Sequence, residues 1–393
     1  MALFFKPVLA LFAGISLCFF GAQSAYAATS KQPASHTPGS SYTINYDDWN
    51  YVLANTVLKT GKSDRRPASK ARLKNTSTRI KHGNKKATGL EGNRVLFHEF
   101  DDGHRALLLA IRKDLEAVPD TLPLREFNRT EQLAYWLNLH NVAVMLEVSK
   151  QYPVRSIKRI AAGKNNIWSQ QNMVVGDRPM SIADIEDHVT ANWNNPLVLY
   201  GFYMGAVGGP NIRSTAYTAD TLTEQLTENA TEFVNSLRGV RFWGDKAHVS
   251  SHYNLGARYF PDFEKDLQNH MIRFADAKLA RRLTEAKTFK AKSYDWGIAD
   301  LKNGDSYSGS SYNTNPGALA YFIYDPNTYA APYLSTGITT NPDFMGYIGD
   351  GIPHHVAALF TGLKKRSERR RHKVTVTIEE FLEGAGSRVS VEP

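Results

Sequence analysis

Residues 130–151 read TEQLAYWLNLHNVAVMLEVSKQ, and this stretch decides how the surrounding chain folds. Apolar residues recur through it at spacings of three and four, which is the period of an α-helix. Asn128 can cap the first turn, with Glu131 three residues later, and Tyr152-Pro153 stops the pattern. The sequence therefore predicts one long helix here, with an apolar face that belongs to the core.

A second stripe of the same helix carries Glu131, Asn138 and Asn141 on an otherwise apolar surface. Buried amides and carboxylates need hydrogen-bond partners. Two interpretations are open. The three side chains either pin neighbouring loops as a structural network, or they form the floor of a ligand-binding cleft.

A glycine-rich turn offers the opposite wall of such a cleft. Residues 205–210 read GAVGGP and follow the apolar run 197–203. Exposed backbone amides in a turn of this kind can hold an anionic or carbonyl oxygen, which makes Gly205, Gly208 and Gly209 candidate binding residues. No Lys-Ser or Lys-Thr pair follows, so the turn does not match a nucleotide-binding P-loop.

Working outward from the long helix, hydrophobic periodicity and turn residues predict further elements. They are a helix over 46–58, a short strand over 95–100, a helix over 105–118, a hairpin at 174–177, a helix with the capping pair Ser181 and Asp184, an apolar strand over 197–203, and a helix opened by a capping box at 221–224.

Charge is concentrated in two segments of the chain. The formal net charge is +9, but residues 59–86 hold eleven Lys and Arg against one acid, and residues 364–373 hold seven against one. Without these segments and Lys6 the net charge is −8. The basic segments are either solvated loops or attachments to an anionic envelope surface such as lipid headgroups. Nucleic acid is disfavoured, because the runs lack interleaved aromatic residues for base stacking.

The first 27 residues have the layout of a secretory signal peptide, with Lys6, an apolar run over 7–20 and an A-x-A site at 25–27. The apolar run is shorter than the roughly 20 residues that span a bilayer. We expect a mature chain that begins at Ala28, without a transmembrane span, in the periplasm or secreted. The one cysteine, Cys18, lies in this segment, which leaves the mature chain without a disulfide, a cysteine nucleophile or a thiolate metal site.

A series of short motifs, in order along the chain, resembles the DUF547 family. The stretch QLAYWLNLHN at 132–141 is similar to the family's A-F-W-I-N-L-Y-N-A helix. The further matches are MSIADIE at 180–186, Asn195-Pro196 before the glycine turn, AYTA at 216–219, LRGV at 237–240 and YDW at 294–296. The resemblance covers residues 46–300 and implies a single main domain with an α+β, cysteine-hydrolase-like fold.

The chain departs from the family pattern where chemistry is expected. Family members usually carry one His and two Cys around the glycine turn, and the corresponding positions here are Leu199, Met204 and Gly209. The family's Ile-Glu-His is also changed, because Asp187 follows Glu186. A thiol beside an imidazole is the arrangement that generates a thiolate near neutral pH. The resemblance therefore implies the fold while its missing groups argue against cysteine catalysis.

Other patterns contain reactive residue types without a standard site. HEFDDGH at 98–104 has metal-ligand types at no standard spacing, and the adjacent His354 and His355 point to different sides of a helix. Ser250-Ser251-His252 keeps serine catalysis open, although no G-x-S-x-G elbow is present. No metal and no cofactor is expected.

The sequence thus predicts a signal peptide (1–27), a flexible linker (28–44), an α+β domain (45–300) with a basic insertion (59–86), and a C-terminal extension (301–393). We expect an exported, catalytically degenerate DUF547-like protein that binds a small molecule or peptide at the cell envelope, between the Glu131 helix and the glycine turn. The alternative is an active hydrolase that uses Ser, His and Glu groups instead of cysteine.

Overall fold

The part of the chain that the structure describes contains seven α-helices, seven short strands and six short 3-10 helices. The structure is a computed structural model, and it describes residues 35–63, 65, 91–163, 166–301 and 304. The helices are α1 Asp47–Thr56, α2 Asp102–Thr121, α3 Arg129–Lys150, α4 Ile182–Asn192, α5 Leu222–Val234, α6 Phe263–Ile272 and α7 Ala277–Thr284.

The strands form three small sheets. They are β1 Val57–Leu58, β2 Arg94–Val95, β3 Met173–Val175, β4 Arg178–Met180, β5 Val240–Trp243, β6 Lys246–Ser250 and β7 Thr288–Ser293. The pairs β1–β2 and β3–β4 are antiparallel, and the third sheet has the order β5–β6–β7, with β5 antiparallel and β7 parallel to β6. The α+β class is confirmed.

Helix α3 is the centre of the fold. The side chain of Asn128 caps it by accepting hydrogen bonds from the amides of Thr130 and Glu131, as predicted. Nineteen consecutive residues, from Glu131 to Ser149, are buried. A helix that is buried on all sides needs neighbours on all sides, and α2 and α4 supply two of them. The predicted helix over 130–151 is confirmed to within one residue at each end.

A second core lies between the three-stranded sheet and helices α5, α6 and α7. The inner face of the sheet contributes Val240, Ala247, Val249 and Phe289. These side chains pack with residues of α5, α6 and α7 such as Phe233, Leu267 and Leu283. The described residues therefore have two hydrophobic clusters, one around α3 and one under this sheet.

Residues 294–301 form backbone hydrogen bonds with the glycine turn. The amides of Val207 and Gly208 donate to the carbonyls of Gly297 and Asp295, and the amide of Ala299 donates to the carbonyl of Gly205, each at 2.8 Å. The YDW motif at 294–296 thus lies directly beside the glycine turn.

Three local predictions are wrong. The run 197–203 is not a strand, because Pro196–Gly201 forms a 3-10 helix whose first turn is capped by Asn195. The predicted strand over 95–100 is reduced to β2, since Phe97–Glu99 is a 3-10 turn. The capping box at 221–224 does not form: the Thr221 hydroxyl lies 2.9 Å from that of Thr218 and bonds no helix amide.

Residues 35–44, the second half of the predicted flexible linker, are bound to the body of the fold. The Gln132 side chain donates to the carbonyl of Ser35, and Thr37 bonds to the carbonyls of Arg125 and Phe127. The start of α3 and the turn before it thus present hydrogen-bond partners for this part of the chain.

The predicted signal peptide, most of the basic insertion, the basic run 364–373 and nearly all of the C-terminal extension lie outside the described residues. Among the helices of the described part, none combines the length and apolar character that crossing a membrane requires.

Candidate functional site

Glu131, the first predicted binding residue, anchors the segment that precedes α1. Its Oε1 accepts hydrogen bonds from the amide of Ile44 at 3.0 Å and from the hydroxyl of Tyr46 at 3.4 Å. Burial raises the pKa of Glu131, and the hydrogen bond from Ile44 opposes part of that shift. The carboxylate is therefore engaged with the chain's own groups at the start of α3.

Asn138 and Asn141 each hold a neighbouring loop through two backbone hydrogen bonds. Asn138 donates to the carbonyl of Tyr217 at 2.8 Å and accepts from its amide at 3.0 Å. Asn141 donates to the carbonyl of Gly201 and accepts from the amide of Tyr203. Both side chains are buried. Their contacts match the structural interpretation of the polar stripe.

The glycine turn is buried, and three of its amides are already bonded. Val207 and Gly208 donate to residues 294–301 as described above, and Gly209 donates to the carbonyl of Ala206 at 3.2 Å. A β-carbon on Gly208 would lie 2.5 Å from the Asp295 amide nitrogen, so this glycine is required by a close backbone approach. In the structure, residues 294–301 and the turn itself supply the partners of the Val207, Gly208 and Gly209 amides.

A pocket does open beside the turn, next to Met204. It has a volume of about 230 Å³. None of the six predicted binding residues lines it. Its wall is mainly apolar and aromatic, with two polar residues from one 3-10 segment; the lining residues are Ile157, Ala161, Trp168, Met204, Ser251, His252, Leu255, Tyr294 and Trp296.

Aromatic residues form one side of this pocket. The rings of Tyr294 and Trp296 have centroids 4.5 Å apart, and Trp296 is 39% exposed. Burial raises the pKa of Tyr294, so its hydroxyl stays protonated at neutral pH. The pocket therefore has a partly open aromatic rim above a buried apolar wall.

His252 is the titratable base of the pocket. Its Nε2 lies 2.8 Å from the carbonyl oxygen of Leu199. A carbonyl can only accept, so Nε2 carries the proton and Nδ1 is the bare nitrogen. Nδ1 has no hydrogen-bond partner among the described residues. Burial lowers the pKa of His252 to about 4, although the Leu199 carbonyl opposes the shift. The ring is therefore a neutral hydrogen-bond acceptor at pH 7.

A buried acid–base pair lies close behind the pocket. His140 Nε2 is 3.0 Å from Glu186 Oε1, and the indole of Trp168 donates to the same oxygen at 3.0 Å. His140 Nδ1 is 3.0 Å from Asn141 Oδ1, which also accepts from the amide of Tyr203. Glu186, which matches the Glu of the family's Ile-Glu-His motif, thus links the central helix to the pocket wall through its hydrogen bonds with His140 and Trp168.

The positions that correspond to the family's His and Cys residues carry no reactive group. Leu199 is fully buried, and a β-carbon on Gly256 would lie 2.5 Å from its Cδ1. Met204 lines the pocket, and Gly209 has no side chain. Packing around Leu199 is thus tight, whereas the place beside Met204 is open.

The other reactive patterns have structural partners. Ser250 donates to the carbonyl of Gly208 and accepts from the amide of His252. Asp101 caps α2 and lies 2.6 Å from His104 Nδ1. Within the described residues, no group of three or more His, Cys, Asp or Glu is arranged to hold a metal ion. The pair His354-His355 lies outside the described residues.

Sequence reasoning singled out Met204, Ser251 and His252 but did not bring them together. Tyr294 and Trp296 appeared only as a family motif, and their aromatic character was the available signal. Nothing in the sequence pointed to Ile157, Ala161 or Trp168, because their place in the pocket depends on the path of the loop after α3.

The fold and the pocket define an α+β domain built on a buried central helix, with an apolar pocket beside a glycine turn. Residues 124–234 match the family model described as "Protein of unknown function, DUF547". This match supports a DUF547 assignment for the part of the chain that contains α3, α4 and α5. No curated protein and no solved structure matches the chain.

Proposed function

We propose that this DUF547 protein binds a small ligand in the pocket beside Met204 and does not perform cysteine chemistry. We further propose that it acts outside the cytoplasm, at the cell envelope, as the signal-like residues 1–27 suggest. The observation that carries the proposal is the pocket itself, an open apolar space at the position where the family resemblance would place a cysteine.

The shape and lining of the pocket indicate the kind of ligand. A buried apolar cavity of about 150 Å³ is large enough to bind benzene, and this pocket is larger at about 230 Å³. Its walls favour an apolar ring or a short acyl chain. His252 Nδ1 adds one hydrogen-bond acceptor, which favours a ligand that also has a hydroxyl or amide donor.

Glu131, Asn138 and Asn141 have a supporting role in this proposal. Asn141 holds the amide of Tyr203, the residue directly before Met204. The direct ligand contacts predicted for these three residues and for Gly205, Gly208 and Gly209 remain a prediction. The contact of Asn141 with Tyr203 favours positioning of the pocket wall instead.

The test compares two probes that differ by one hydroxyl, p-cresol and toluene, by ligand-observed saturation-transfer NMR on the full chain. We expect both probes to bind and p-cresol to bind more tightly, because its hydroxyl can donate to His252. Ala161→Phe should fill the pocket and abolish binding of both probes. Ala54→Phe, on the exposed side of α1, should leave it unchanged. Equal binding to both variants would refute the pocket as the site.

One observation favours hydrolase activity as a second candidate function. Ser251 and the neutral base His252 line the same pocket. In the described structure, however, Ser251 makes no hydrogen bond to His252, and a general base must reach the proton that it takes. Hydrolysis of p-nitrophenyl acetate that disappears in Ser251→Ala but persists in Ser250→Ala would support this candidate.

A further inference from the structure

The three-stranded sheet has one face in the core and the other in solvent. We define the outer sheet face by the six basic or aromatic residues that point away from the core; they are Arg241, Trp243, Lys246, His248, Lys290 and Lys292. Strand residues alternate between faces, and the alternating burial of β6 and β7 follows that pattern. The lysines of this face are exposed.

Strand pairing brings these residues together from separate parts of the chain. Arg241 pairs with His248, Trp243 pairs with Lys246, and His248 pairs across β6–β7 with Lys290. Trp243 is 55% exposed, and its ring centroid is 4.2 Å from that of His248. The result is a face with an exposed tryptophan at one end and cations along its length.

The face is positively charged although the chain outside its two basic segments carries a net charge of −7. It holds four Lys and Arg and no acid. The neighbouring Asp245 is paired with Lys287 at 3.1 Å and also interacts with Lys246, the nearest lysine of the face. The pKa of His248 is lowered by desolvation and by Lys292, Lys290 and Lys246, a further sign that these charges converge.

We propose that the outer sheet face docks on an anionic phospholipid surface. Lysines near such a surface are attracted by its negative potential, and tryptophan prefers the interface between headgroups and acyl chains. Single-stranded nucleic acid is bound in grooves with several stacking aromatic residues, which this face does not have. This interaction is independent of the pocket.

The test is cosedimentation of the full chain with vesicles of equal parts phosphatidylglycerol and phosphatidylcholine, against vesicles of phosphatidylcholine alone. We expect binding to the anionic vesicles only, with most of it lost at about 0.5 M salt. Lys290→Ala combined with Lys292→Ala should weaken the partition coefficient by about tenfold or more. Trp243→Ala should weaken it further. Thermal unfolding of each variant should match the wild type, since the changed side chains are exposed.

Lys265→Ala combined with Lys278→Ala is the matched control, because it removes the same charge from exposed positions on α6 and α7, on the opposite side of the sheet. We expect it to change vesicle binding by less than about twofold. Three results would overturn the proposal: equal loss in both double variants, full binding by the Lys290 and Lys292 variant, or equal binding to neutral vesicles. The second result would assign vesicle binding to residues 59–86 or 364–373. Binding of the same variants to oligo-dT is measured in parallel. If the Lys290 and Lys292 variant loses oligo-dT binding but keeps vesicle binding, the partner is nucleic acid and the phospholipid proposal is also overturned.

Discussion

Asn138 shows why the polar stripe on α3 fits either a ligand-binding site or a structural network until its hydrogen-bond partners are known. Both of its hydrogen-bonding groups meet the backbone of a single residue, Tyr217, which lies 79 positions along the chain. The sequence indicates that a buried amide must be satisfied. It does not indicate whether a ligand or a loop satisfies it.

We expect Asn138→Ala to lower the free energy of unfolding by ~2–5 kcal/mol, because it leaves the buried amide and carbonyl of Tyr217 without partners at ~1–3 kcal/mol each. Urea unfolding followed by circular dichroism measures the change. Asn269→Ala, at an exposed position on α6, should cost less than about 0.5 kcal/mol. Wild-type stability in Asn138→Ala, together with weaker binding of p-cresol, would restore Asn138 as a ligand contact.

Met204 and His252 also show that the sequence does not indicate which distant residues come together, here at the pocket. Sequence comparison identified Met204 as the residue in place of a cysteine, and local chemistry made His252 a candidate base. Their shared pocket depends on the 3-10 segment Ser251–Tyr259, which approaches the glycine turn from a distant part of the chain. Short-range patterns carry no information about that approach.

At the scale of elements, the caps show which local signals suffice. Ser181 and Asp184 form a complete capping box at the start of α4, as predicted. Thr221 and Glu224 have the same spacing and the same hydroxyl and carboxylate groups, but the Thr221 hydroxyl bonds to Thr218 instead. A nearby hydroxyl at the start of the preceding 3-10 turn therefore accompanies a different outcome of a similar sequence signal.

We expect Ser181→Ala to destabilise the protein by ~1 kcal/mol, because it removes the acceptor for the amide of Asp184. Thr221→Ala should cost less than about half of that, since its hydroxyl caps no amide. Midpoints of urea unfolding, measured with a constant slope, compare the two variants. Equal losses would mean that Thr221 caps α5 in solution.

At the scale of the whole molecule, two buried histidines couple stability to pH. Burial lowers the pKa values of His252 and His270 to about 4, from the ordinary 6.5. His270 Nε2 lies 2.9 Å from the Tyr200 hydroxyl in the second core. Between pH 4 and pH 6.5, these histidines bind protons in the unfolded chain but stay neutral in the folded chain. The stability that depends on keeping these histidines neutral is therefore full above pH 6.5 and is lost as the pH falls towards 4.

We expect the free energy of unfolding to fall between pH 7 and pH 4.5, with each histidine contributing up to ~3 kcal/mol. Glu131 and Glu232, whose pKa values are raised by burial, oppose part of this loss. Urea unfolding at several pH values measures the slope. His270→Gln should flatten it, and His36→Gln, at an exposed position, should not. An unchanged slope in His270→Gln would contradict the assignment.

Much of the fold could be predicted from local patterns. Helix α3 with its Asn128 cap, the β3–β4 hairpin and the Ser181 capping box depend on residues within a few positions of one another, and all three are present. The run 197–203 could not be assigned this way, because a short, wholly buried apolar run fits a strand or a helix equally well. In the structure, the 3-10 helix that this run forms packs against α5.

The sequence by itself determined the central helix, the DUF547 resemblance, the absence of any cysteine after Cys18 and the separation of basic segments from an acidic body, because each is a matter of residue type or of short-range spacing. Only the tertiary structure decided that Asn138 and Asn141 brace loops, that residues 294–301 occupy glycine-turn amides, and that Met204 and His252 share a pocket. Those outcomes depend on contacts between segments tens of residues apart. The orientation of a buried polar group is set by whichever segment packs against it.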